Sequence, residues 1–290
     1  MTVREWWRLA RPPTLPASVV PVAVGTAAAV DAGRVSVPAV LVMLLVALLL
    51  QIATNMANEY ADFRRGVDSA DSVGIAGVLV EGRFAPATVR RWAFGTYAAA
   101  FLLGLGLVAV RGWVLLVLGI LGILAGYLYN AGPRPLSATP WGEATVFVIM
   151  GPIEVLGSEL AAGGRMTAIG VWASVAVGFL VAAILLANNL RDRVQDGQRG
   201  RDTLAIRLGA KRGLWGMAAL ITAGALWPVA LAVWGILPAT AAVTALVLPG
   251  GLAAVRRLSG QGLARGVLVT GRVHLAAGLL LAVGLGWRHI

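Results

Sequence analysis

Asn188, Asp192 and Asp196 stand at i, i+4 and i+8 in NNLRDRVQDGQRGRDTLAIRLG, residues 188–209. On a helix this spacing lines all three along one face. Asn55, Asn58 and Asp62 do the same at i, i+3 and i+7 in NMANEYADFRRGVD, residues 55–68, with Asp68 six positions further on. Carboxylates and amides without histidine or cysteine are hard oxygen ligands. They suit Mg2+, which keeps several waters and bridges to phosphate oxygens. Arg191, Arg193, Arg199 and Arg201 stand among the second set, and guanidinium groups match phosphate with paired donors. Two such clusters facing one another would hold a Mg2+–diphosphate, so the elements that carry them must bring them together.

Those elements are apolar. Of 290 residues, 59% are hydrophobic and 13% charged, and the mean hydropathy is +0.83. A soluble domain carries about 25% charged residues, so the chain reads as an all-α integral membrane protein. A span needs about 20 apolar residues. Nine candidates follow, at 16–31, 36–57, 93–110, 112–130, 141–162, 167–190, 213–233, 236–254 and 266–287, in a single transmembrane domain covering 1–290. The 37 glycines suit close helix approach in lipid. No cysteine is present, which excludes disulfides and thiolate chemistry, and two histidines are too few for a histidine metal site.

The net charge of +11 would suggest nucleic acid in a soluble protein. Here the basic residues fall between spans and report topology instead. Nine alternating spans place 19 of the 24 Lys and Arg residues on the side of the N-terminus and 4 on the other, with Arg272 inside the last span. The rich side is expected to be the cytoplasmic face of the cell (inner) membrane, and both acidic clusters lie on it. A helix end with charges is usually a solvated loop. Two ends on one side with the same amide-then-Asp spacing argue for function, because ionisable groups at membrane depth are costly.

The same segments resemble the UbiA superfamily of membrane prenyltransferases, and within it the 1,4-dihydroxy-2-naphthoate polyprenyltransferases of menaquinone synthesis. The resemblance runs through ARPPTLPASVVPVAVGT (residues 10–26), NMANEYADFRRGVD, LYNAGPRPLSATPWGE (128–143), GPIEVLGS (151–158) and the long motif at 188–209. It implies a nine-helix bundle around a central cavity. It implies Asn58, Asp62, Asp68, Asp192 and Asp196 as the residues that hold Mg2+ and a polyprenyl diphosphate. The implied reaction moves the prenyl group to an aromatic acceptor, 1,4-dihydroxy-2-naphthoate, with loss of CO2 to give demethylmenaquinone. The chain departs from the naphthoate pattern at Ser72–Gly77, where two arginines are missing, and at Glu159–Ala161, where tyrosines are usual.

Asn188, Arg191 and Arg201 are further candidates for diphosphate contact. Tyr127, Tyr129, Asn130 and Arg134 close the fourth span on the same side. There they either shield a cation and touch phosphate or anchor the helix at the interface. Glu143 and Glu154 are eleven apart and are expected on one face of the fifth span, with Glu143 at a motif position as a substrate contact. Asp202 and Thr203 read as a cap, and His274 as a packed histidine. Two other readings stand beside this one: the same fold with another acceptor (hydroxybenzoate, another aromatic ring or a sugar phosphate), and a membrane transporter, which would spread polar groups along the midplane. The oligomeric state is left open.

Overall fold

In the computed structural model the described residues are 3–31, 33, 35–66, 77–131, 135–258 and 260–287. Asp68, Arg134 and the departure at Ser72–Ala76 lie outside them. The described residues are helical throughout, without a strand. A short helix α1 (Val3–Ala10) leads into α2 (Pro16–Asp31), α3 (Val37–Arg64), α4 (Pro86–Arg111) and α5 (Trp113–Ala131). The fifth expected span is a composite of α6 (Gly142–Val148), a π turn (Ile149–Ile153) and α7 (Glu154–Gly163). Then come α8 (Ala168–Gln198), α9 (Leu204–Val233), a 3-10 segment (Ala239–Val247) with α10 (Leu248–Arg256), and α11 (Gly266–Gly286).

Eight helical stretches among the described residues are long and apolar enough to cross a bilayer. The expected nine is reached if α2 is joined to residues 5–14, from which it is bent by 49°. Pro12 and Pro13 end the regular hydrogen bonding of α1 and open a 3-10 turn, and the bend itself falls at Leu15, just before Pro16 starts α2. The chain is a multi-pass membrane protein.

Local chemistry sets the helix starts. Ser36 accepts from the Ala39 N–H at 3.4 Å at the head of α3, and Thr167 from Gly170 at 3.2 Å at the head of α8. Thr203 accepts from Ile206 at 3.4 Å, so it caps α9 as expected. Asp202 does not share that role and pairs with Arg207 at 2.6 Å. Both motif-bearing helices outrun their hydrophobic segments: α3 continues to Arg64 and α8 to Gln198. The amide–carboxylate spacings therefore act as helical faces, as the periodicity requires.

The bundle is close-packed through small residues rather than driven by apolar burial, since lipid is as apolar as leucine. A Cβ on Gly25 of α2 would collide with the Val155 carbonyl of α7. One on Gly151 would stand 2.8 Å from the Gly178 Cα, so the π turn lies backbone to backbone on α8. Val20, Val155, Val177, Val181, Leu231 and Leu281 fill the centre. His274 is fully buried in α11, a packed histidine as expected.

The alternation is visible in the ties at each end. At one end Arg65 donates to the Asn130 carbonyl at 2.8 Å and Arg201 to the Ser137 carbonyl at 2.6 Å. At the other, Arg111 donates to the Ala161 carbonyl at 2.8 Å and the Ser36 N–H to Ala162 at 3.0 Å. The ends of α3, α5 and α8 are thus gathered on one rim.

Candidate active site

A cavity of about 460 Å³ opens among α2, α3, α4, α5, α7 and α8. Asp62 of α3 and Asp192 and Asp196 of α8 line it together, with Asn58, Asn188, Arg191, Arg199 and Arg201. Deeper down much of the lining is apolar, through Leu50, Phe101, Leu105, Leu118, Ile123 and Ile149. Two stretches far apart in sequence therefore share one polar mouth above one greasy hollow.

The α8 cluster is braced from within. Arg191 donates to both oxygens of Asp192, at 2.7 and 2.6 Å, and to Asn188 at 2.9 Å. Arg201 reaches back to Asp196 at 3.1 Å while its other nitrogen holds the Ser137 carbonyl. These pairs fix the carboxylates and leave oxygen lone pairs open, because each carboxylate has about four acceptor sites. Arg193 is the exception among the arginines: it does not line the cavity.

The α3 cluster divides its groups between two faces. Asp62 lines the cavity and takes Arg65 at 3.1 Å. Asn58 shares that face, and its Oδ1 is buried without a protein partner. Glu59, one residue on, is 1% exposed and wholly structural. It accepts from Arg11 at 2.9 Å and from the N–H groups of Gly77 and Leu79 at 3.0 and 3.3 Å. Asn55 is also an interhelical tie, donating to the Ala10 carbonyl and to Thr14 Oγ1, both at 2.9 Å.

Two expected site residues are placed differently. Tyr127 is 55% exposed and points out of the bundle. Tyr129, two residues on and about 200° around the helix, lines the cavity instead, beside Asn130. Glu143 is buried but stands behind the cavity wall, accepting from Asn189 at 2.9 Å, and Asn189 lines the cavity. Glu143 therefore positions an amide instead of lining the mouth. It does not share a face with Glu154, which lines the cavity next to Ser18 of α2. Eleven residues of regular helix would align the two; the π turn between them adds a residue to one turn and rotates everything after it.

Arg11 stands outside both amide–acid spacings and belongs to the site. It lines the cavity, binds Glu59, and has a left-handed backbone at φ 50° and ψ 63°. A non-glycine residue held there needs surrounding structure to hold it, and the Glu59 pair provides it. Its sequence signal was an arginine between an apolar turn and Pro12–Pro13. At the rim above, Arg8 grips Glu81 with two bonds of 2.9 and 2.7 Å and holds its carboxyl down at about 2.

The donor chemistry fits a divalent hard cation: Asp62, Asp192, Asp196 and the unpartnered Asn58 oxygen all present oxygen to one cavity. Among the described residues no three Asp, Glu, His or Cys side chains converge to enclose an ion unaided. A metal held here would complete its shell from water and phosphate oxygens, as Mg2+ does.

Comparison with known proteins agrees with this geometry. The model of the UbiA prenyltransferase family matches residues 18–265. The chain is 37% identical over 283 residues to a 1,4-dihydroxy-2-naphthoate octaprenyltransferase of Bacillus subtilis, covering 96% of this chain and 91% of that one. It is 36% identical over 224 residues to the enzyme of that description from Mycobacterium tuberculosis, covering 75% and 76%. The fold matches the structure of a UbiA homologue from Archaeoglobus fulgidus bound to GPP and Mg2+, with TM-score 0.69 and 16% identity over 96% of this chain and all of that one. An apo UbiA homologue from Aeropyrum pernix K1 superposes with TM-score 0.69 at 17% identity, over 94% of this chain and 98% of that one. From the motif at its first acidic helix end to the one at its second, this chain is a member of the UbiA prenyltransferase family.

Proposed function

We propose that the protein transfers a polyprenyl group from polyprenyl diphosphate to 1,4-dihydroxy-2-naphthoate, with loss of CO2 and diphosphate, to give demethylmenaquinol, the reduced form of demethylmenaquinone. The observation that carries this reading is the shared cavity: Asp62, Asp192 and Asp196 at a polar mouth, an apolar hollow below. A substrate with an anionic head and an isoprenoid tail matches that division. The acceptor is argued from the naphthoate octaprenyltransferases that the chain resembles along most of its length.

Asn58, Asp62, Asp192 and Asp196 would hold Mg2+, with Asp68 as a further ligand by its place in the motif. When bound, the ion supplies positive charge against the diphosphate as it leaves. Arg191, Arg199 and Arg201 lie where they can take phosphate oxygens, and Arg134 is assigned the same role by its motif. Asn188 and Asn189 offer amide groups to the same mouth, Asn189 held in orientation by Glu143. Tyr129 presents an aromatic ring to the site of developing carbocation charge. The apolar lining keeps water from that cation. The acceptor ring attacks it, and the electron pair of the departing carboxylate restores the aromatic ring.

With 19 basic residues on the mouth side and 4 opposite, the mouth and the N-terminus face the cytoplasm across the inner membrane. The test is a membrane assay with labelled polyprenyl diphosphate and a panel of aromatic acceptors, with and without Mg2+. Prenylated naphthoquinol and CO2 released from carboxyl-labelled acceptor are expected, both dependent on Mg2+. Uptake of a solute without transfer would favour the transporter reading, and transfer to hydroxybenzoate alone would replace the acceptor.

A further inference from the structure

The cavity has two unlike walls. α4 and α5 line it with Phe101, Leu105, Ile120 and Ile123. The wall built by α2, α3, α7 and the turn before α2 carries Thr14, Ser18, Gln51, Asn55 and Glu154. The first four are joined. Asn55 donates to Thr14 at 2.9 Å, Gln51 to Thr14 at 3.4 Å and to Asn55 at 3.5 Å, and Ser18 to Gln51 at 3.1 Å. Ser18 also stands beside Glu154. Thr14 returns its hydroxyl proton to the Arg11 carbonyl at 2.9 Å.

Every member of this stripe but one is occupied by its neighbours. Glu154 has Ser18 as its polar neighbour and forms no ion pair among the described residues. Its carboxyl keeps bonding capacity toward the cavity it lines. A carboxyl at this depth without such a role is costly. It is aimed there by a specific device, the π turn Ile149–Ile153 directly before it, which turns α7 relative to α6. The stripe sits below the mouth: Gln51 precedes Asp62 by eleven residues of α3, about 16 Å along the axis at full rise. That is beneath the diphosphate head, on the side away from the apolar wall.

Building on the prenyl-transfer reading above, we propose that Glu154, steadied by Ser18 and Gln51, binds a ring hydroxyl of the aromatic acceptor and so selects hydroxylated rings. The prenyl chain lies along the α4–α5 wall and the acceptor along the stripe, so the two substrates meet face to face beneath the mouth. A ring hydroxyl can donate to Glu154, whereas an anionic group would find no cation among the five residues of the stripe. The acceptor's carboxylate is therefore turned up toward the arginines of the mouth.

The test measures KM for acceptor and for polyprenyl diphosphate separately in membranes. Glu154→Leu is expected to raise the acceptor KM about tenfold or more, the effect of losing a hydrogen bond to a charged or strongly polar group, with the diphosphate KM unchanged. Glu154→Gln, which keeps an acceptor oxygen, recovers most of the loss. An acceptor with its hydroxyls methylated is a poor substrate of wild type and is no worse in Glu154→Leu. If Glu154→Leu does not accumulate, Ser18→Ala is expected to raise the acceptor KM alone, in the same direction and by less. An unchanged acceptor KM in these variants, or equal changes in both KM values, overturns the inference while leaving prenyl transfer in place. A wild type that prenylates no hydroxylated ring overturns both.

Discussion

The two acidic helix ends look alike in sequence and are built differently. The α8 end braces its own carboxylates: Asn188, Arg191 and Asp192 bond one another, and Asp196 takes Arg201 from the following turn. The α3 end is a hub. Asn55 and Glu59 are committed to α1, Arg11 and the segment at 77–79, and Asn58 and Asp62 are left for the cavity. One end is an arginine-braced cradle and the other is a scaffold that carries two ligands. The same amide-and-acid pattern thus mixes chemistry and architecture, and exposure to the cavity tells them apart.

That contrast can be broken first at the carboxylates. Asp62→Ala or Asp192→Ala is expected to lower prenyl transfer by ~10³-fold or more while the protein still inserts, since each removes charge that binds in the transition state. Membrane assays alongside quantified protein check this, and turnover near wild type in either variant refutes the metal assignment. Chelation of divalent ions should bring wild type to the same low level, with recovery on adding Mg2+.

Glu59→Ala probes the scaffold. It strands Arg11 and two backbone N–H groups, and removing one partner of a buried pair costs about 3–5 kcal/mol. Thermal unfolding in detergent should show the loss, and Glu59→Gln should restore part of it. Loss of activity with normal unfolding would instead make Glu59 a ligand. Arg201→Lys should be milder, raising the polyprenyl diphosphate KM about tenfold, because lysine cannot hold Asp196, the Ser137 carbonyl and phosphate with one planar fork.

The smallest effect belongs to the rim. Glu81 is held at about 2 against an ordinary 4.5. A depressed acid stabilises the fold fully above its unfolded value, and that contribution is lost as pH falls from about 4.5 toward 2. The pair is solvent-exposed, so the loss is slight. Glu81→Gln should melt just below wild type at neutral pH and alongside it near pH 2, and a gap that widens in acid would contradict this.

Much of this was legible in the sequence because a bilayer restricts the choices. Apolar length marked the spans, and amide-to-acid spacing marked Asn58, Asp62, Asp192 and Asp196 on cavity-facing helix surfaces. What escaped were facts of rotation and of long-range pairing. Tyr127 and Tyr129 are equivalent by composition, and helix orientation alone decides which one enters. The π turn at Pro152 put Glu143 and Glu154 on different neighbours, although their spacing implied one face. Glu59 and Arg11 meet across 48 positions, and neither carries a local signal of the other.

The central claim is that the ends of α3 and α8 act on one ligand. An experimental structure with Mg2+ and a non-transferable polyprenyl thiodiphosphate tests it most directly. The account predicts the diphosphate between Asp62 and Asp192, with the isoprenoid tail against α4 and α5. A diphosphate held by one helix end alone, or outside the cavity, would contradict it.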